Sequence, residues 1–154
     1  MQQLVVDIAK LIQKAYKKGL KPLVRLNGTS DIRWETIGFT DVSGIEYVNI
    51  FAAFPNTQFY DYTKDANRKD LPSNYDVTFS YSGVEGFQPY VEKALLNNMR
   101  MAVVFRKEQD IPKTFMGIPV VSGDNSDVRH LDDKVIVGLY AKGKAKLDQT
   151  GFVV

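Results

Sequence analysis

The sequence predicts an α/β domain built on a mostly parallel sheet. Short apolar runs recur along the chain, and helical patterns separate the early runs. Most of these runs end in a cluster of hydroxyl, amide or charged groups. Because the carboxyl ends of parallel strands share one edge of a sheet, and ligands bind at that edge in α/β folds, the pattern also predicts a site there.

The composition is that of an ordinary globular domain. We expect residues 1–154 to form one domain, since 44% of the residues are hydrophobic and 25% are charged. The net charge of +2 is too small to indicate nucleic acid by itself. The absence of cysteine excludes disulfides, Cys-ligated zinc and an iron–sulfur cluster. No apolar run approaches the ~20 residues of a membrane span, so we expect no membrane partner and a cytoplasmic location.

The first predicted element is an amphipathic helix over residues 3–18. Its apolar residues recur at helical spacing, while Lys10, Lys14, Lys17 and Lys18 lie largely off that stripe. This pattern favours a surface helix with solvated lysines. The alternative is a role for the lysines at a membrane surface or on nucleic acid.

In the first part of the remaining sequence, predicted strands alternate with helices. In the later part, strands follow one another with only short loops between them. The first strand covers residues 23–26 and ends in the polar turn 27–31. Helices are predicted at 44–53 and 86–99, and a loop at 65–74. About six strands with helices on one side would make either a partial barrel or a curved open sheet. The further strands are predicted at 57–64, 76–83, 100–106, 117–121 and 134–140.

An open sheet leaves edges with unpaired backbone groups, and such edges recruit partners. We expect residues 135–140, together with 152–154, to form an edge of this kind. The sequence therefore predicts a homo-oligomer.

Cationic and hydroxyl groups follow several predicted strands, a mixture that suits phosphate. Aromatic groups beside basic ones also suit single-stranded nucleic acid. The predicted ligand-binding residues are Arg25, Asn27, Thr29, Ser30, Asp31, Tyr62, Lys64, Ser80, Ser82, Arg106, Asp124 and Lys142. The alternative is a set of structural ion pairs, which residues on inward-facing strands would need. That alternative pairs Arg25, Lys64 or Arg106 with Asp31, Asp61 or Asp124.

The acidic turn that begins at Asp124 suggests a second kind of site. With Asp31 and Asp127, Asp124 would give the carboxylate oxygens that Mg²⁺ or Mn²⁺ prefers. Acidic turns are also common without a metal, because Asp tolerates turn geometry. The only histidine, His130, suits either an acid–base role or a solvated turn. Since the chain has no nucleophile elbow and no Walker loop, catalytic residues stay unassigned.

A series of motifs, quoted in chain order, carries a resemblance. They are Arg-Leu-Asn-Gly-Thr-Ser-Asp-Ile at 25–32, Phe-Tyr-Asp-Tyr-Thr-Lys at 59–64, Thr-Phe-Ser-Tyr-Ser-Gly at 78–83, Ala-Val-Val-Phe at 102–105, Gly-Ile-Pro-Val-Val-Ser-Gly-Asp at 117–124 and Val-Gly-Leu-Tyr-Ala-Lys-Gly at 137–143. Over roughly 20–154 the chain resembles a phage and plasmid family named after mycobacteriophage gene product eighty-eight. The resemblance implies a mobile-element origin and a partial, radical-SAM-like barrel. Relatives carry a cysteine-bearing segment before this region, which we expect this chain to lack.

Three classes of function follow. The one we favour is an accessory protein of a phage or mobile element in the host cytoplasm. It would bind a phosphate-containing ligand, nucleic acid or a host defence protein without catalysis. The alternatives are a metal-dependent phosphoesterase or nuclease that uses the carboxylates, and a degenerate barrel that acts only in oligomeric assembly.

Overall fold

The computed structural model describes residues 1–126 and 128–154 and has a mixed α/β architecture. No helix among these residues is both long and apolar enough to cross a membrane. In chain order the elements are α1 (Gln2–Lys17), β1 (Leu23–Arg25), β2 (Phe39–Thr40), β3 (Glu46–Tyr47), α2 (Ile50–Ala53), β4 (Gln58–Thr63), β5 (Tyr75–Ser80), α3 (Gln88–Leu96), β6 (Met101–Phe105), β7 (Thr114–Phe115), β8 (Ile118–Ser122) and β9 (Ile136–Tyr140).

The main sheet is open and mostly parallel. Its strand order is β1-β4-β5-β6-β9-β8-β7, and β2 with β3 forms a separate antiparallel pair. Strands β1 and β4, β5 and β6, β6 and β9, and β8 and β9 pair in parallel. Strand β7 joins the main sheet antiparallel, through β8. Because β1 and β7 end the order, the barrel is not closed. The predicted fold class and the mostly parallel sheet are confirmed.

The chain divides into two compact units. The first unit consists of Met1–Asp61 and Asp70–Asp76, and the second consists of Tyr62–Lys69 and Val77–Val154. Each unit has its own buried residues. The expectation of one domain over 1–154 stays a prediction.

In the first unit, aromatic rings form much of the core. The ring of Phe51 stacks on Tyr75 at a centroid distance of 4.1 Å and meets Phe59 edge-on at 4.9 Å. Ile50 and Phe59 are fully buried. The amphipathic helix α1 contributes Ile8, which is 3% exposed.

The helix predicted at 44–53 is wrong over its first half. Residues Glu46 and Tyr47 form β3, and α2 begins only at Ile50. The Asp41 carboxylate accepts hydrogen bonds from the backbone N–H groups of Ser43 and Ile45, which stabilises a turn before β3. Asn49 then caps α2 by accepting from the Ala52 N–H. Polar groups that bond locally to the backbone therefore overrode the apolar pattern.

In the second unit, the core lies between the strands and α3. Phe79, Met101, Val103 and Ile136 are fully buried, and Val91 of α3 packs in the same cluster. The aromatic residues of this unit extend the cluster toward β7, where Phe115 meets other rings edge-on. The strand predicted at 100–106 is confirmed, since β6 lies within that range.

The predicted exposed edge at 135–140 is wrong. Strand β9 lies between β6 and β8, and its whole length from Ile136 to Tyr140 is in register with β6. Residue Val154 also bonds to β6, since its N–H donates to the Val104 carbonyl. The edge strands are β1 and β7, which are three and two residues long. Such short edge strands offer few backbone groups for pairing with another chain. The homo-oligomer therefore stays a prediction, and the predicted edge at 135–140 no longer supports it.

Candidate functional site

The polar turn after β1 is organised by the side chain of Asn27. This side chain is buried, at 1% exposure for the residue. Its Oδ1 accepts hydrogen bonds from Ser30 Oγ, the Ile32 N–H and Trp34 Nε1, at 2.9 to 3.1 Å. Its Nδ2 donates to the Ile32 carbonyl at 3.0 Å. Most of the hydrogen-bonding capacity of the Asn27 carboxamide is therefore used inside the turn.

The Asp61 carboxylate, which is buried on β4, completes this network. Oδ1 accepts from the Asn27 N–H at 2.8 Å, and Oδ2 accepts from Asn27 Nδ2 at 3.2 Å and from the Tyr75 hydroxyl at 3.0 Å. Arg25 Nε lies 3.9 Å from Oδ1 and donates to the Asn27 carbonyl. The alternative interpretation, in which Arg25 forms a structural ion pair with Asp61, therefore fits these contacts. Thr29 and Asp31 lie exposed in the same turn.

The carboxyl ends of β8 and β9 carry a different polar cluster in the second unit. Asp124 follows β8 and Lys142 follows β9, and their Oδ1 and Nζ atoms are 2.5 Å apart. The Lys142 side chain is 61% exposed, whereas that of Asp124 is 16% exposed. The ammonium also lies 4.5 Å from the centroid of the Tyr140 ring, in cation–π range. This ion pair holds a solvent-facing cation at the end of β9.

A cavity of about 430 Å³ opens beside this ion pair. Asp124 and Lys142 line it together with the amide of Asn125 and the hydroxyl of Ser126. The other lining residues are Val104, Gly123, Leu139, Tyr140, Ala145 and Phe152. The cavity thus combines one cation, one carboxylate, two neutral polar groups and two aromatic rings.

Lys64 and Arg106 both contact backbone carbonyls near this edge of the sheet. Lys64 Nζ donates to the Ser80 carbonyl at 3.4 Å and lies 4.7 and 5.1 Å from the ring centroids of Phe87 and Phe152. Arg106 Nη1 donates to the carbonyls of Lys146 and Asp148 at 3.3 and 3.0 Å. Arg106 thereby anchors the 3₁₀ turn that follows β9. Within residues 1–126 and 128–154, Arg106 bonds to these carbonyls and forms none of the ion pairs that the structural alternative named for it.

Parallel pairing explains which predicted residues share an edge in the second unit. Arg106, Asp124 and Lys142 follow β6, β8 and β9, which are mutually parallel neighbours. Lys64 reaches Ser80, the last residue of β5, and β5 is parallel to β6. These four residues therefore lie along one edge of that unit. Arg25 and Asp31 belong to the first unit.

The remaining predicted ligand-binding residues are placed as follows. Ser82 is buried, and its Oγ accepts from the Val84 N–H at 3.3 Å, so this hydroxyl shapes a turn. Tyr62 lies on β4 and is half-buried, as is Ser80. None of the three lines the cavity beside β9.

The structure describes two of the three carboxylates of the predicted magnesium or manganese site, Asp31 and Asp124. No group of three or more His, Cys, Asp or Glu side chains suited to a metal occurs in residues 1–126 and 128–154. Asp127 lies outside the described residues. The Asp124 carboxylate contacts Lys142 and, at 3.4 Å, the Tyr140 N–H. His130 is half-buried beside the ion pair of Arg129 and Asp132, whose Nη1 and Oδ2 are 3.1 Å apart. Metal binding stays a prediction.

Two ionisable groups near the cavity have shifted pKa values. The hydrogen bond to Asp124 raises the pKa of Lys142, and the negative charge of Asp124 acts in the same direction. The hydrogen bond from the Thr150 hydroxyl lowers the pKa of Asp148, and the Val153 N–H adds to this effect. Both groups are therefore charged at neutral pH.

The sequence did not predict Tyr140 and Phe152 as lining residues. Tyr140 ends an apolar run and was counted only as part of a strand. Phe152 reaches the cavity because the chain after β9 returns to β6, where Val154 pairs. No local pattern signals that return. The network around Asn27 was also missed, although an Asn in a turn often bonds to nearby backbone.

A scan against protein families gives a match over the whole chain. The family model described as Gene product 88 covers residues 1–154. The chain belongs to the Gene product 88 family. The resemblance carried by the sequence motifs is confirmed, and the match extends it from about residue 20 to residue 1. Members of this family are phage gene products. Neither the search of curated proteins nor that of solved structures gives a match.

Proposed function

We propose that this chain is a phage accessory protein that binds a small phosphate-containing ligand in the cavity beside β9, without catalysing a reaction. The observation that carries the proposal is the cavity itself. It lies where β8 and β9 end, and the ammonium of Lys142 stands on its wall. Open α/β sheets bind their ligands outside the carboxyl ends of strands.

The size and lining of the cavity suit a nucleotide-sized molecule. Its volume of about 430 Å³ lies within the range of small-molecule sites. The rings of Tyr140 and Phe152 offer apolar surface to a base or a sugar. Asn125 and Ser126 offer an amide and a hydroxyl that would orient polar groups of the ligand.

The charge around the cavity favours an anion. Asp124 offsets the charge of Lys142, but the 3₁₀ turn Gly143–Leu147 adds the exposed ammonium groups of Lys144 and Lys146. Among the residues that the structure describes, neither lysine forms an ion pair. Ala145, between them, lines the cavity. Lys142, Lys144 and Lys146 together outnumber the carboxylates of Asp124 and Asp148, so this part of the chain has a net positive charge, which attracts phosphate.

In this proposal Asp124 is a positioning residue. Its carboxylate holds Lys142 Nζ at 2.5 Å, and its other oxygen accepts from the Tyr140 N–H. An arriving phosphate would share or replace this contact to the ammonium. Because the carboxylate also repels the phosphate, it reduces affinity while keeping the cation in place.

Calorimetric titration with inorganic phosphate, ribose 5-phosphate and adenosine monophosphate tests the proposal. We expect adenosine monophosphate to bind most tightly, because it also contacts the aromatic rings. Lys142→Ala should weaken its binding about tenfold, and the loss should shrink at high salt because the contact is ionic. Lys113→Ala, another exposed lysine in the same unit, is the matched control and should leave binding unchanged.

A second set of measurements separates a binder from a metal-dependent hydrolase. Asp124→Asn should leave binding intact or strengthen it, since it removes a negative charge. A hydrolase would instead lose turnover in Asp124→Asn and in EDTA, and would recover it with Mg²⁺ or Mn²⁺. Chelator-sensitive cleavage that requires Asp124 would overturn the proposal. If none of the three phosphates binds in low salt, the proposal is also wrong, and a host protein becomes the leading partner.

A further inference from the structure

Helix α1 carries a second cationic surface, in the first unit. Lys10, Lys14 and Lys17 recur at intervals of four and three residues, which places them on one helical face. Together with Gln13 and Lys18 they line a shallow groove of about 300 Å³. All five residues are exposed. We call this surface the lysine face of α1.

The charge of the lysine face is not balanced inside the protein. In the part of the chain that the structure describes, none of its lysines forms an ion pair or a side-chain hydrogen bond. The only acidic residue of α1 is Asp7, whose carboxylate accepts from Gln3 Nε2 one turn before Lys10. Four like charges within nine residues repel one another, and a polyanion relieves that repulsion.

The geometry and lining of the groove indicate what kind of anion fits. With a rise of about 1.5 Å per residue, the ammonium-bearing positions 10, 14 and 17 are spaced about 4.5 to 6 Å along the helix axis. The groove has no aromatic lining to stack on a base, and its apolar surface is that of the lysine and glutamine stems. Its chemistry therefore suits a row of phosphates on a nucleic-acid backbone, contacted without reading the sequence.

The opposite face of α1 argues against a lipid surface. A helix that binds at a bilayer surface places its apolar face among the lipids. In this structure part of that face is covered by protein, because Ile8 is buried and Leu4, Val5 and Ile12 are half-buried, while Leu11 and Tyr16 are exposed. The covered apolar residues cannot enter a bilayer, whereas all the residues of the lysine face are exposed.

We propose that the lysine face of α1 binds the phosphate backbone of duplex nucleic acid, independently of base sequence. This surface shares no residue with the cavity beside β9, and the proposal does not depend on the function proposed for that cavity. Three ammonium groups that each contact a phosphate would release about three counterions, so binding should weaken steeply as salt is added.

Fluorescence polarisation with two unrelated labelled DNA duplexes tests the proposal. The test variant is Lys10→Gln/Lys14→Gln/Lys17→Gln, and the control variant, with the same change in net charge, is Lys93→Gln/Lys113→Gln/Lys134→Gln at exposed positions of the second unit. We expect the test variant to lose at least tenfold in affinity for both duplexes alike. The slope of log affinity against log salt should fall by about 2.7, from three lost contacts at about 0.9 each. The control variant should bind like the unchanged protein.

Several results would overturn the proposal. They are an equal loss in both triple variants, no duplex binding by the unchanged protein in low salt, or a loss confined to one of the two duplexes. Flotation with phosphatidylserine vesicles tests the lipid alternative, and vesicle binding that needs the three lysines without any duplex binding would replace nucleic acid by lipid. Circular dichroism establishes that the test variant keeps its helix.

Discussion

Polar residues follow both β1 and β9 in the sequence, but Asn27 after β1 is buried and hydrogen-bonded, whereas Lys142 after β9 is exposed. After β1, the carboxamide of Asn27 and the carboxylate of Asp61 satisfy each other and the surrounding turn, and both are 1% exposed. After β9, Lys142 makes one ion pair and stays 61% exposed beside a cavity. The difference teaches that residue type does not distinguish a structural turn from a site. The deciding properties are exposure and whether the polar groups are already used.

The largest effect that would test this comparison is expected for Asp61→Ala. The change removes the acceptor for the Asn27 N–H, the Asn27 amide and the Tyr75 hydroxyl, which would be left unsatisfied in a buried place. We expect a loss of about 3 to 5 kcal/mol in the free energy of unfolding, measured by urea denaturation. Glu46→Ala, at an exposed position of the same unit, should change it by less than about 0.5 kcal/mol. Similar values for both variants would contradict a structural role for Asp61.

The next effect concerns Asn27→Ala. The indole N–H of Trp34, Ser30 Oγ and the Ile32 N–H all lose their acceptor, so we expect a loss of about 2 to 3 kcal/mol. Trp34 is the only tryptophan, and its fluorescence emission should move to longer wavelength as the turn opens to water. The exposed Thr29→Ala in the same turn is the control. An unchanged emission spectrum together with unchanged stability would show that the turn does not depend on Asn27.

At the end of β9, we expect one substitution to weaken ligand binding without lowering the free energy of unfolding. Lys142→Ala removes an exposed ammonium whose ion pair is largely solvated, and such pairs add little to stability. We expect an unchanged unfolding midpoint in urea together with the tenfold loss in binding of adenosine monophosphate. A marked loss of stability without a loss of binding would make this strand end structural too, and the comparison would no longer hold.

The smallest expected effect is on the pH response near the cavity. The Thr150 hydroxyl lowers the pKa of Asp148, so this carboxylate contributes stability above its ordinary pKa that is lost as pH falls through the lowered value. Thr150→Val should raise the pKa of Asp148 toward its ordinary value, as measured by NMR titration of the side-chain carboxyl. The acid side of the stability profile should move slightly to higher pH. An unchanged pKa would show that the bond from Thr150 Oγ1 to Asp148 Oδ1, at 2.7 Å, does not persist in solution.

The sequence by itself determined the α/β class and the approximate position of the main strands. The apolar run at 100–106 became β6, and the run at 134–140 became β9, because a long apolar stretch has a strong free-energy reason to be buried wherever it lies in the fold. The position of Asp124 and Lys142 at one edge followed from the same pattern, since both come just after a strand. These properties depend on local composition, so they can be predicted from the sequence alone.

The tertiary structure decided the strand order. It also decided which polar clusters are buried and hydrogen-bonded and which stay exposed. Strand β9 lies between β6 and β8 although it comes last, and no local feature of residues 136–140 specifies those neighbours. Asn27 and Asp61 are separated by 34 positions, and Asp124 and Lys142 by 18. A side chain that can bind a ligand can equally bind a distant residue of its own chain. Only folding brings that residue within hydrogen-bonding distance, and so only the folded structure shows which polar groups remain available.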